Sequence, residues 1–133
     1  MSFKDEFIPK VHEVFKKELT ISRTLDETFI MIRNYFLDLE YSLRDVLEVA
    51  EKNFEIETED YFCKVRLFNY RLEVKFTNKK IEIENIRSGY GHEFYFNENT
   101  YSFMGPDDKV FDESVLDSFL RETFESSISD LLR

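Results

Sequence analysis

Residues 54–84 read FEIETEDYFCKVRLFNYRLEVKFTNKKIEIE. Apolar and charged side chains alternate through this stretch with a period of two, the signature of strands with one dry and one wet face. Phe54, Ile56 and Thr58 alternate with Glu55 and Glu57. Cys63, Val65 and Leu67 alternate with Lys64 and Arg66. Tyr70, Leu72, Val74 and Phe76 alternate with Arg71, Glu73 and Lys75, and Ile81 and Ile83 with Glu82 and Glu84. Short polar connections such as Thr77-Asn78-Lys79-Lys80 suit hairpins, so the stretch predicts an antiparallel meander.

The wet face has its own order. If strands that follow one another in sequence are neighbours, the outward columns are acidic (Glu55, Glu57), basic (Lys64, Arg66), mixed (Arg71, Glu73, Lys75) and acidic (Glu82, Glu84). Opposite charges across neighbouring strands stabilise a sheet modestly, so the basic residues here read as ladder partners rather than as a nucleic-acid site.

The period is 3.6 on the N-terminal side. Phe3, Phe7, Val11 and Phe15 recur every fourth residue after Ser2, with Asp5 and Glu6 where a helix dipole favours acids. Pro9 either kinks this helix or starts it, and a break is expected near Thr20–Arg23. Thr24-Leu25-Asp26-Glu27 fits a capping box for a second helix with a stripe of Phe29, Ile32, Phe36 and Leu39. Ser42-Leu43-Arg44-Asp45 is compatible with the cap of a third helix, and equally with one helix running to about Lys52.

On the C-terminal side, Arg87-Ser88-Gly89-Tyr90-Gly91-His92 breaks the alternation and reads as a loop. Strands are expected at Glu93–Phe96 and Thr100–Phe103. Met104-Gly105-Pro106-Asp107-Asp108 is a turn. Asp112 then caps a last helix with the stripe Val115, Leu116, Phe119, Leu120, Phe124, Ile128 and Leu131. The expected fold is α+β: two or three N-terminal helices, a meander of five or six strands and one long C-terminal helix, with the helices layered on one sheet face. The 133 residues, with 42% apolar and 17% aromatic side chains but 3 Gly and 2 Pro, suit one domain spanning residues 1–133.

Charge and composition narrow the function classes. The net charge is −10. Residues 1–53 carry 8 basic and 11 acidic side chains, residues 54–88 carry 7 and 7, and residues 89–133 carry 3 and 10, so the excess lies in the last third. Such a field repels nucleic acid and anionic membrane and attracts a basic protein. A single cysteine, Cys63, permits no internal disulfide and no CxxC motif. With an N-terminus that lacks an apolar leader segment and no apolar run near 20 residues, a cytoplasmic location is expected. One alanine, Ala50, amid many Phe, Ile, Lys, Asn and Glu is the bias of AT-rich coding sequence, which points to a low-GC bacterium or phage.

No motif for nucleophilic, phosphate or metal chemistry is found, so no cofactor, metal or catalytic residue is assigned and an enzyme is not expected. Cys63 falls on the apolar strand face as a small hydrophobe, and the only imidazoles are His12 and His92. Two surfaces are singled out for binding. One is the polar–aromatic loop of Arg87, Tyr90 and His92 with Tyr95. The other is the acidic side of the last helix, with Glu113, Asp117, Glu122 and Glu125. The leading expectation is a small acidic protein-binding module of the inhibitor, immunity or chaperone kind with a basic partner. The alternatives are a ligand or enzymatic pocket between sheet and helices using the 87–95 loop, and a self-associating structural protein joined through an aromatic sheet edge.

Overall fold

The computed structural model describes residues 2–85 and 90–133. The element order is α1 (Phe3–Val14), α2 (Lys16–Ser42), α3 (Arg44–Ala50), β1 (Phe54–Thr58), β2 (Phe62–Leu67), β3 (Tyr70–Phe76), β4 (Lys80–Asn85), β5 (Tyr90–Asn97), β6 (Ser102–Met104) and α4 (Glu113–Leu131). The six strands form one antiparallel sheet in sequence order. The α+β meander expected from the alternation is present, flanked as expected by N-terminal helices and a C-terminal helix.

Register follows the alternation. Cys63 pairs with Val74, Val74 with Ile83 and Ile83 with His92, so these residues share the inner face. Phe29, Ile32 and Phe36 of α2 and Val115, Leu116, Phe119 and Phe124 of α4 complete the core against that face. Asp112 caps α4 as its sequence position implies, its carboxylate accepting from the Val115 amide at 3.2 Å. Burying these residues removes apolar area from water at about 25 cal/mol per Å², the main term holding helices to sheet.

On the outer face the charge columns match opposite charges only in part, since Arg66 faces Arg71, Glu73 faces Glu84 and Glu82 faces Glu93. Glu55 faces Arg66 and Glu57 faces Lys64. Lys64 Nζ lies 3.2 Å from Glu57 and 3.9 Å from Glu55, and Arg66 lies 2.9 Å from Glu55. On the far strands Lys80 bridges Glu82 at 2.6 Å and Glu93 at 3.8 Å. The Arg66 guanidinium holds the Glu55 carboxyl below the usual carboxylate range.

Four expectations need correction. No break occurs at residues 20–23: α2 starts at Lys16, and Thr24 lies inside it. Thr20, Thr24 and Thr28 each donate their hydroxyl to the carbonyl four residues back, at 2.9 Å. Thr24 therefore satisfies its side chain within the helix and does not cap it, since no Gly or Pro forces the chain out of helical geometry there. The helix does end at Leu43, where α3 begins without a side-chain cap from Ser42. The expected loop at 90–92 is the start of β5, paired with residues 83–85 of β4, because Gly91 tolerates a strand position opposite Glu84. Thr100 falls in a turn rather than in β6.

The fourth correction concerns α1. It does not lie on the sheet: Phe3, Phe7, Ile8 and Val14 are exposed, and only Val11 is half-buried. Pro9 sits within it. At the junction, the Phe15 amide donates to the Val11 carbonyl at 3.2 Å and the Leu19 amide to the Phe15 carbonyl at 2.9 Å, so α1 continues helically into α2. The first half of this long arm thus keeps its apolar stripe but has nothing to cover it.

Candidate functional site

Of the first singled-out cluster, the side chains of His92 and Tyr95 are among the described residues. Arg87 lies outside the described residues, and so does the side chain of Tyr90. His92 is on the inner side of β5, its ring centroid 4.8 Å from that of Phe119 on α4. Tyr95 is on the outer side, 53% exposed, and donates its hydroxyl to the Glu93 carboxylate. That bond raises the Tyr95 hydroxyl above its ordinary pKa. An odd spacing of three along a strand places His92 and Tyr95 on opposite faces, yet both border one hollow at the β5–β6 edge, together with Glu93, Met104 and Pro106.

The acidic side chains of α4 are also divided. Glu113 and Asp117 line a cleft toward α2 together with Tyr35 and Asp38. Tyr35 donates to Asp117 at 3.1 Å, and burial first, then this bond, pushes the phenol well above its ordinary pKa. Glu122 faces the other way, into a shallow recess with His92, Lys109 and Ser118. Glu125 lies 4.0 Å from Arg121, both side chains exposed. One of the four acids is thus held by a tyrosine, another lies beside a cation, and no single acidic face results.

Cys63 is buried, and desolvation pushes its thiol up to about 12. A nucleophilic cysteine needs the opposite shift. Among the described residues, no group of three or more His, Cys, Asp and Glu side chains is placed to hold a metal ion.

The better-formed site is one that sequence reading passed over. An open groove of about 340 Å³ lies where the C-terminal end of α2, α3, the β1–β2 end of the sheet and α4 converge. Its walls include Leu43, Val46, Phe54, Phe68, Leu120 and Ile128, and among the described residues Asn53 is the only polar one in its lining. The short α3 (Arg44–Ala50) and the last turns of α4 contribute its walls without closing it. Ile128 and Leu131, expected in the core, are 44% and 53% exposed.

Phe68 forms one lip of the groove and, like Glu51, Tyr101, Asp107 and Asp108 among the described residues, has a positive φ. It occupies the two-residue turn between β2 and β3 at φ 53°, a region that costs a residue bearing a Cβ about 1–2 kcal/mol. Neighbours enforce the conformation. The Phe68 amide donates to the Asn53 carbonyl at 2.8 Å, and Arg66 Nη1 donates to the Phe68 carbonyl at 2.9 Å. Arg66 also donates to the Lys52 carbonyl, tying the turn to the chain leaving α3. A strained aromatic ring, 44% exposed, is therefore fixed beside an apolar hollow. The sequence signal was the two-residue gap between Leu67 and Tyr70, where a Gly or Asn would relax the turn and Phe stands instead.

No protein-family model, no curated protein and no solved structure matches this chain.

Proposed function

We propose that the chain is a protein-binding module that accepts an apolar helical segment of another chain in the groove between α2, α3 and α4. The observation that carries this reading is Phe68, held at positive φ with its ring exposed at the lip of an otherwise apolar hollow. Strain kept beside a concave apolar surface belongs to recognition more readily than to folding, because a small polar residue would serve the turn better. The groove has the lining of a helix-in-groove site, where anchors spaced three and four residues apart enter an apolar trough. Asn53 is a single polar side chain in its lining, too little to orient a small polar substrate. The net charge of −10 favours a visiting helix whose polar side is basic, in keeping with the expected basic partner.

The test is an amide NMR titration of the whole chain with a basic amphipathic helical peptide. Shifts concentrated at Leu43, Val46, Phe68 and Ile128 support the reading, and shifts confined to the outer sheet face oppose it. Phe68→Asn relaxes the turn, so it leaves the melting temperature unchanged or higher while weakening peptide binding several-fold. A variant that binds as tightly as the parent removes Phe68 from the site.

A further inference from the structure

The same molecule carries both halves of a helix-in-groove contact, at opposite ends. We infer that two copies exchange their α1 helices, each α1 lying in the groove of the other, to form an antiparallel two-fold dimer. This inference rests on the reading of the groove as a site for a helix.

Three observations select a second copy as the occupant. The first is distance. The groove is lined by Leu39 and Leu43 at the C-terminal end of α2, whereas Ile21 and Leu25 of its N-terminal part lie beside Tyr61 and Asn78 at the other end of the sheet. The 27 residues of α2 rise about 40 Å, and α1 extends onward from there, so α1 cannot reach its own groove. An inverted copy laid alongside has α1 next to Leu39 and Leu43. Because the arrangement is two-fold, that single alignment fills both grooves at once.

The second observation is charge. Residues 3–19 hold Lys4, Lys10, Lys16 and Lys17 against Asp5, Glu6, Glu13 and Glu18 and are neutral, so the whole excess of −10 resides elsewhere. The arm is an apolar segment that approaches an acidic body without net repulsion. The third is area. Phe3, Phe7 and Phe15 are 70%, 52% and 53% exposed, and Ile8 and Val14 are 48% and 72% exposed. With aromatic side chains of about 150–250 Å² each, one arm offers on the order of 500 Å². Two reciprocal arms and their grooves together reach the roughly 1,200–2,000 Å² of a stable interface. One arm alone would not.

The experiment is sedimentation equilibrium of the full chain and of Ile8→Glu on the arm and Ile128→Glu on the groove lip. Both positions are partly exposed, and circular dichroism with thermal melting checks that each variant is folded. The wild type is expected at twice the 16.1 kDa chain mass. Each variant is expected to dissociate at least ten-fold more readily. An equimolar mixture of the two variants regains part of the association, since one pairing of intact arm with intact groove is restored. Raising the salt strengthens the dimer, because two acidic bodies are brought together. A wild type that stays monomeric, or a dimer untouched by both substitutions, overturns the exchange. If the wild type is monomeric while the basic peptide still shifts Val46 and Ile128, the groove reading stands and only the self-exchange fails.

Discussion

Asn85 at the end of β4 donates its side-chain amide to the Thr123 hydroxyl of α4 at 2.7 Å, and that hydroxyl donates in turn to the Phe119 carbonyl at the same distance. Both residues are buried. This polar contact within the apolar layer fixes the rotation of α4 on the sheet, and through it the side that Leu120, Phe124 and Ile128 present to the groove.

Thr123→Val keeps the shape but removes the hydroxyl. A buried hydrogen bond lost with one partner left behind costs about 1–3 kcal/mol, so the urea midpoint should fall accordingly. An unchanged midpoint would mean that the contact is energetically idle and that packing alone orients α4.

Lys64 lies between Glu55 and Glu57 and faces Glu73 on the next strand. Lys64→Glu gathers four carboxylates there and is expected to lower the thermal midpoint, with a deficit that shrinks as salt rises. Acid acts on the same ladder. Glu55 is depressed by Arg66, and Asp112 by the Ser114 hydroxyl and the amides it caps. A depressed carboxylate contributes stability above its unfolded value and loses it as pH falls through the folded one. Stability should therefore decline below about pH 4.5, as read by denaturation midpoints across that range.

At the other end of the scale, burial holds Cys63 protonated to about 12 against an ordinary 9.0. Folding favours the protonated thiol, so this contribution is complete below pH 9 and is lost as pH rises from 9 toward 12. Tyr35 is raised by burial and Asp117 and adds loss in the same direction above pH 10. The denaturation midpoint should fall above about pH 9. At pH 8 a disulfide-exchange reagent should modify Cys63 only at the rate of opening. Stoichiometric labelling within the mixing time would contradict the buried thiol.

The strands were legible because alternation is a local pattern and the sheet follows sequence order. The outer charge ladder was legible for the same reason: Glu55, Lys64 and Glu73 need only neighbouring strands to meet. Helix boundaries were less so. Thr24 with Glu27 matches a capping box, but the chain around it has no reason to leave the helix, and the hydroxyl finds the Thr20 carbonyl instead. The groove was invisible because it depends on where helices stop relative to the sheet. Nothing in the spacing of Ile128 and Leu131 says that they stay exposed while Phe124 is buried. The stripe of α1 was read correctly as apolar, yet amphipathicity states only that a face needs a partner, not that the same chain supplies it.

The border of the sheet at β1 has a consequence for growth. A bare strand edge is a template for another strand, and uncontrolled addition there leads to fibres. Here that edge displays Glu55 and Glu57, so a second β1 added antiparallel would set carboxylates against carboxylates. The opposite border, β6, is three residues long and already bridged at Met104 by Val110. Neither margin invites polymerisation through strands.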